Sequence, residues 1–498
     1  MTEPIQALVI EDIGRTNCIH SDREKRIIRE LILGEKGTLL ACRTKAEKDE
    51  INERLRRYKV ALAPHKLLSE DVLSYIFELC CEEPASFPII RESDVRLILT
   101  QVCSAWREIM LNTPSIWNDV LVNMSEVSEG AYPGIVQIAS KWLNRAQNVP
   151  VEMTLRYHQF SSRGSTTDIV KQLIAPYKFR SLVLDVCVPQ MLEVLALPEE
   201  CLSSCTDLRF YNSSCGSIGD GVCIDGVIDE SDRDLILDFK LFPNLEVLQL
   251  HMSRWKIRSI PFHRLRHYSV EAPMKLSICW DILKHGSTTL EGCELEISKG
   301  NAAELNEVIR CPNIQDFSVH FDSRVRCIES FFMHLELPKL ESLSISGHVT
   351  ESELLMVGEW LRSSDILLKR LSFDHYHNVP VSLRSLLQSM PSLHRLELDG
   401  DIILDSAIIH DLSTGALGRH LAFLQLSEIP GQLLSEFLDM VKMRSDCGTT
   451  DGSKIARFER VWFDCFSLPT GPDRLPIEDI AEEVRQQGVD IQYQVEFG

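Results

Sequence analysis

The sequence predicts a mixed α/β chain in which, after a helical lead, a small three-helix module is followed by a curved β/α solenoid on a largely parallel sheet. Two patterns carry that expectation. Residues 64–122 combine helix-start signals with aromatic and aliphatic side chains at helical spacing. From residue 179 to 426 a strand-like phrase, apolar-x-x-apolar-x-apolar, recurs with helical patterns in the gaps. A chain of 498 residues with 44% hydrophobic and 25% charged residues has the composition of an ordinary globular protein.

Residues 1–63 read as a tail and a helical lead. Residues 1–20 show no period. Further on, Ile51, Leu55, Tyr58 and Leu62 fall at i, i+4, i+7 and i+11, one face of a helix. Gly34 and Gly37 interrupt the pattern, so two shorter helices are expected over 22–62. Arg54, Arg56, Arg57 and Lys59 make this stretch locally basic and read as a solvated face.

Residues 64–122 form the second part. Ser69 offers an N-cap hydroxyl, and Glu70 and Asp71 place carboxylates at the positive end of the helix dipole. Val72, Leu73, Ile76 and Phe77 follow as an apolar stripe. Residues 81–93, with Pro84 and Pro88, read as a loop. Leu99, Val102, Trp106 and Ile109 then line one face of a second helix. Thr113-Pro114 starts a third, with Trp117 one turn inside it. So small a bundle buries little core by itself, so part of its apolar surface needs a cover from elsewhere.

Residues 134–498 form the third part. Ile135, Ile138, Ala139, Trp142 and Leu143 mark a helix, and then the phrases begin: FRSLVLDV, FPNLEVLQL, HRLRHYSV, TLEGCELEI, CPNIQDFSV, LPKLESLSI, LLKRLSF, MPSLHRLEL and LAFLQL. Their central positions are Leu248, Tyr268, Cys293, Phe317, Leu343, Leu371, Leu396 and Leu424, spaced 20 to 28 residues apart. That period, with a strand and a helix in each unit, resembles a degenerate leucine-rich repeat. The place often held by Asn or Cys is Ser253, Asp322, His348, Tyr376 or Asp401, so no Asn ladder is expected. The stretch 179–242 fits worst, and its acidic, Gly-rich part reads as a long surface loop.

Charge and motifs bound the chemistry. With 73 acidic and 52 basic residues the formal charge is −21, unsuited to nucleic acid or to an anionic membrane. No segment approaches the ~20 apolar residues that span a bilayer. The N-terminus lacks a secretory pattern, so the 16 cysteines read as free thiols of a cytoplasmic or nuclear protein. Cys201, Cys205, Cys215 and Cys223 fall close together, but only the first pair has zinc-ligand spacing, so they read as core and loop thiols. Asp220, Asp225, Asp229 and Asp232 lack the offsets of a calcium loop. Asp374-His375-Tyr376-His377 reads as an exposed strand or loop end. No phosphate loop, nucleophile elbow or activated cysteine stands out, so neither enzyme activity nor a cofactor or metal is expected.

The segment LLSEDVLSYIFELC…LILTQVCSAWREIMLNTPSIWNDV resembles the F-box, and ALAPHKLLSEDVL is similar to the run-in of a large fungal group of F-box proteins. Leu68 matches the opening leucine and Asp71 takes the acidic place. Val72-Leu73 and Ile76-Phe77 match the first-helix pairs. Val102-Cys103, Trp106-Arg107, Pro114 and Trp117 match the second half. Ser69 stands where the family has proline, and Asp71 where it has glutamate. The resemblance implies a non-catalytic substrate-recruiting subunit of a ubiquitin ligase, acting in ubiquitin-dependent degradation. It would bind a Skp-type adaptor, and through it a cullin–RING scaffold, by Leu68, Ser69, Val72, Leu73, Ile76, Phe77, Val102, Cys103, Trp106 and Trp117. Such a subunit acts by proximity rather than by chemistry. A scaffold protein that keeps an F-box fold but assembles no ligase is the alternative.

The target protein would bind the repeats. By the period of two, Gln249, Ser318, Ser344, Ser372, Glu397 and Gln425 point away from the core. Loop residues beyond them, Arg254, Trp255, Asp322, Asp374, Tyr376, Asp399 and Asp401, add charge and aromatics. Of these, Trp255, Asp322, Asp374, Tyr376, Asp399 and Asp401 are the candidate target contacts, and they suit a partner with a basic segment.

Overall fold

The computed structural model describes residues 13, 20–64, 68–88, 94–125, 127–157, 171–186, 188–211, 235–251, 255–325, 327–364, 366–375, 381–400, 402–427, 429–446, 455–466 and 477–496. The chain divides into two compact units between Leu182 and Val183. That division falls later than the 122–134 junction read from the sequence. The reason is that residues 119–157 pack back on the helical module: Trp142 meets Trp117 at 4.7 Å and Phe87 at 5.5 Å between ring centroids.

The first unit opens with α1 (Asp22–Ala41) and α2 (Lys45–Ala61). Each starts on a capping box, Ser21 with Glu24 and Thr44 with Glu47. The break therefore falls at 42–44. Gly34 and Gly37 sit inside α1 with open space around them, and interrupt nothing. Ile28, Tyr58 and Ala61 pack with Ile13, and Arg54 clamps Glu35 across the pair through two bonds of 2.8 and 3.1 Å.

Next comes α3 (Glu70–Cys80), whose Ser69 cap accepts from the Val72 amide at 3.4 Å. Residues 81–93 are more than a loop: Ala85–Phe87 is β1, paired in parallel with β2 (Asp119–Asn123), which pairs in turn with β3 (Val151–Tyr157). The helix expected through Leu99, Val102, Trp106 and Ile109 is two helices, α4 (Val95–Val102) and α5 (Ser104–Leu111). Cys103 separates them in an extended conformation, its sulfur accepting from the Trp106 amide at 3.5 Å. Pro114–Trp117 is a single 3₁₀ turn, and Tyr132–Leu143 forms α6.

Arg96, on α4, organises this unit. It is 4% exposed and donates to the carbonyls of Ile116 (2.9 Å), Cys81 (2.9 Å) and Glu83 (2.6 Å). One guanidinium thus ties the end of α3, the approach to β1 and the 3₁₀ turn together.

A strand at the division, β4, runs Phe179–Val186. In the second unit the main strands are β5 (Asp207–Tyr211), β6 (Val247–His251), β7 (His267–Lys275), β8 (Gly292–Lys299), β9 (Asp316–Phe321) and β10 (Ser342–Gly347). They continue as β11 (Arg370–His375), β12 (Arg395–Asp399), β13 (Phe423–Leu426), β14 (Arg460–Phe466) and β15 (Asp490–Glu496). From β5 to β15 each pairs in parallel with the next. Helices fill most of the crossovers, among them Leu276–Gly286, Glu351–Ser363, Ser406–Thr414 and Leu434–Asp446. This is an open parallel β/α arrangement of the solenoid kind.

The eight central positions form one buried column. Leu248, Tyr268, Cys293, Phe317, Leu343, Leu371, Leu396 and Leu424 are register partners in that order. The column runs on to Leu208 at one end and to Val461 and Ile491 at the other, all buried. Near the C-terminal end the fully buried Arg444 donates to the carbonyls of Gly418 (3.0 Å), Leu421 (2.9 Å) and Ala456 (2.6 Å), joining successive turns.

Candidate functional site

Each unit presents one surface that its own packing does not explain. In the first unit it is apolar. Leu73 and Phe77 turn one side of α3 into the core, and Trp106 lies on Phe77 with ring centroids 4.9 Å apart. The opposite side carries Val72, Tyr75, Ile76 and Leu79 at i, i+3, i+4 and i+7, exposed from 37% at Ile76 to 61% at Tyr75. On α4, Val95, Ile98 and Val102 form a second exposed stripe, with Val102 at 53%. Leu68, ahead of α3, is exposed as well. Seven large apolar side chains facing solvent on two short helices are far more than scattered surface residues.

The ten residues expected at an adaptor interface thus divide. Leu68, Ser69, Val72, Ile76 and Val102 are exposed; Cys103 and Trp106 are half-buried; Leu73, Phe77 and Trp117 are core. Trp117 lies farthest from a contact role. It is fully buried, donates its indole N–H to the Met110 carbonyl at 2.8 Å and has the Arg145 guanidinium 4.5 Å above its ring. Tyr75, Leu79, Val95 and Ile98 complete the face and were not singled out from the sequence. Their helical spacing with Val72, Ile76 and Val102 is the signal that could have found them.

The second surface is the outward strand face of the later unit. Gln249, Ser318, Ser344, Ser372, Glu397 and Gln425 do lie in one row, together with Ser269, Glu294 and Trp462. Small residues open a groove of about 560 Å³ on it, floored by Gly292, Ser318, Ser342 and Ser344. Asp374 and Asp399 are direct register partners at the C-terminal ends of β11 and β12. Asp322 is engaged by its own loop. It accepts from the Arg324 side chain at 2.9 and 3.1 Å and from its amide at 3.0 Å, and these bonds hold its carboxyl well below the usual range. Tyr376, Asp401 and the side chain of Trp255 lie outside the described residues, as do Arg254 and His377.

Comparison of the chain with protein-family models and with curated proteins returns no match. The family resemblance therefore rests on the residues alone. Among the described residues, no group of three or more His, Cys, Asp or Glu side chains could hold a metal, and no helix is long and apolar enough to cross a membrane. Of the four clustered cysteines, Cys215 and Cys223 lie outside the described residues. Cys205 is buried and bonded to the Asp207 carbonyl at 3.2 Å, and burial pushes its thiol up to about 12. The Asp220–Asp232 run also lies outside the described residues.

Proposed function

We propose that the chain is a substrate receptor of F-box type. Its first unit docks a Skp-type adaptor of a cullin–RING ubiquitin ligase, and its repeat unit holds the target protein. The observation that carries this reading is the doubled apolar stripe on α3 and α4, which includes Val72, Ile76 and Val102, three of the positions where the F-box resemblance places adaptor contacts. Burying such a face in a partner removes apolar area from water at about 25 cal/mol per Å² before the costs of association. Leu73 and Phe77 anchor the inner side of α3, and the Ser69 cap sets where α3 begins. The finer reading of the second unit as degenerate leucine-rich repeats belongs to the same proposal, supported by the repeat spacing and the single buried column.

The test is co-purification of the full chain with a Skp-type adaptor, beside the variant Leu68→Ala/Ile76→Ala. Both side chains are exposed, so the variant should melt like the wild type yet lose the adaptor. Capture of both proteins at equal yield would refute the interface.

A further inference from the structure

Three strands of the second unit carry the same outward triplet. β11 reads Arg370-Leu371-Ser372-Phe373-Asp374, β12 reads Arg395-Leu396-Glu397-Leu398-Asp399, and β14 reads Arg460-Val461-Trp462-Phe463-Asp464. The apolar members are buried, so the first, third and fifth residues share the outer face. In each strand that face runs from arginine through a middle side chain to aspartate.

Parallel register sorts these charges into rows. Arg370 lies directly opposite Arg395, and Asp374 directly opposite Asp399. Like charges placed opposite each other across strands destabilise a sheet. Exchanging the ends of one strand would turn these two like-charge pairs into opposite-charge pairs. The arginine row continues through Phe423 to Arg460, with the Arg395 guanidinium 3.9 Å and that of Arg460 5.9 Å from the Phe423 ring centroid. Each arginine has one carboxylate beside it, Asp316, Glu397 and Asp490 in turn, and stays about half exposed, so its fork keeps donors for a further acceptor. Between the rows run Ser372, Glu397, Gln425 and Trp462, polar side chains ending on a half-buried indole.

On the reading that the repeat unit takes the target, we propose that this face binds an extended polypeptide segment of alternating acidic and basic residues, laid across the strands. The dimensions match. Four residues along a strand separate the arginine and aspartate rows by ~13 Å, room for an extended backbone with side chains reaching either way. Alternate residues of such a segment point to opposite sides and recur every ~6.6 Å, so three on one side span ~13 Å. The arginines of β11 and β14 lie three strand spacings apart, ~14 Å. Acidic side chains then meet Arg370, Arg395 and Arg460, while basic ones meet the directly opposed Asp374 and Asp399. A purely basic segment, which the aspartates alone would suggest, leaves the arginine row facing cations.

The test titrates the full chain, at low salt, with three fluorescein-labelled twelve-residue peptides followed by anisotropy. One alternates Glu and Lys, one is its block isomer, and one is all Lys. The alternating peptide should bind about tenfold or more tightly than either other. Its affinity should fall about tenfold in both Arg395→Ala/Arg460→Ala and Asp374→Ala/Asp399→Ala, with melting temperatures unchanged. Equal binding of the alternating and block peptides, binding of the all-Lys peptide as tight as the alternating one, or an effect from only one of the two rows would overturn the proposal. Adaptor capture by the same variants should be intact. Failure of the peptides with capture intact overturns this inference alone, whereas failure of the wild-type chain to capture adaptor overturns the receptor reading.

Discussion

Replacing Arg96 with Met should unfasten the first unit while leaving its volume filled. The guanidinium satisfies three carbonyls, of Ile116, Cys81 and Glu83, at 2.6–2.9 Å. Leaving a buried acceptor without a donor costs about 1–3 kcal/mol, and the Glu83 site is only part-buried, so the loss should be about 3–5 kcal/mol. Lysine is no remedy, because one ammonium cannot fork to three acceptors in different elements. The assay is hydrogen exchange by mass spectrometry on the full chain, comparing peptides within 70–123 with peptides within 290–350. Exchange in the first window should speed by about a hundredfold or more, the second staying unchanged, since 1.4 kcal/mol is a factor of ten. Unchanged exchange across 70–123 would refute the claim that Arg96 holds α3, β1 and the 3₁₀ turn together.

Asp119 titrates at about 6, raised first by burial and then by Glu152, its register partner on β3, with Arg96 opposing. A carboxyl raised on folding contributes stability that is present below about pH 4 and lost as pH rises through 6. Discounted for its half-buried setting, Asp119→Asn should gain about 1–2 kcal/mol at pH 7 and nothing near pH 4, read by urea denaturation at both. A gain equal at both pH values would show another cause. Gly347 ends β10 at φ +99°, where an added Cβ would lie 2.1 Å from the Phe321 carbonyl oxygen. Gly347→Ala should therefore cost at least about 2 kcal/mol in the same assay, and a neutral result would contradict that geometry. Leu371→Ala, in the middle of the buried column, should cost about 2–5 kcal/mol and lower the thermal midpoint of the second unit.

The second unit was legible because its strands obey two periods at once: two along each strand, and 20 to 28 between strands. Leu208, Val461 and Ile491 escaped because insertions carry their spacings beyond that range. Leu208 and Leu248 stand 40 positions apart, and Leu424 and Val461 stand 37 apart. In the first unit, helical spacing found the stripes but not the breaks. Thr44 caps a new helix more strongly than two glycines stop one, and Cys103 turns the chain where the apolar period runs on. β1 was hidden because its apolar-polar-apolar alternation lasts only three residues between two prolines, and its partner lies more than thirty residues on. Trp117 illustrates a further limit: spacing says that an aromatic is wanted, but not whether its ring faces core or partner. The arginine rows were legible in RLSFD, RLELD and RVWFD, yet charge sorting becomes visible only when parallel register sets like beside like.

The central claim is that the exposed face of α3 and α4 is a docking surface for a Skp-type adaptor. Isothermal titration of that purified adaptor into the full chain, and into Val102→Glu, tests it most directly. Val102 is 53% exposed, so the substitution puts a charge on the face without entering the core. The wild type should form a one-to-one complex with a negative heat-capacity change, the mark of apolar burial, and Val102→Glu should weaken it at least about a hundredfold. No complex with the wild type, or equal affinity for the variant, would contradict the account.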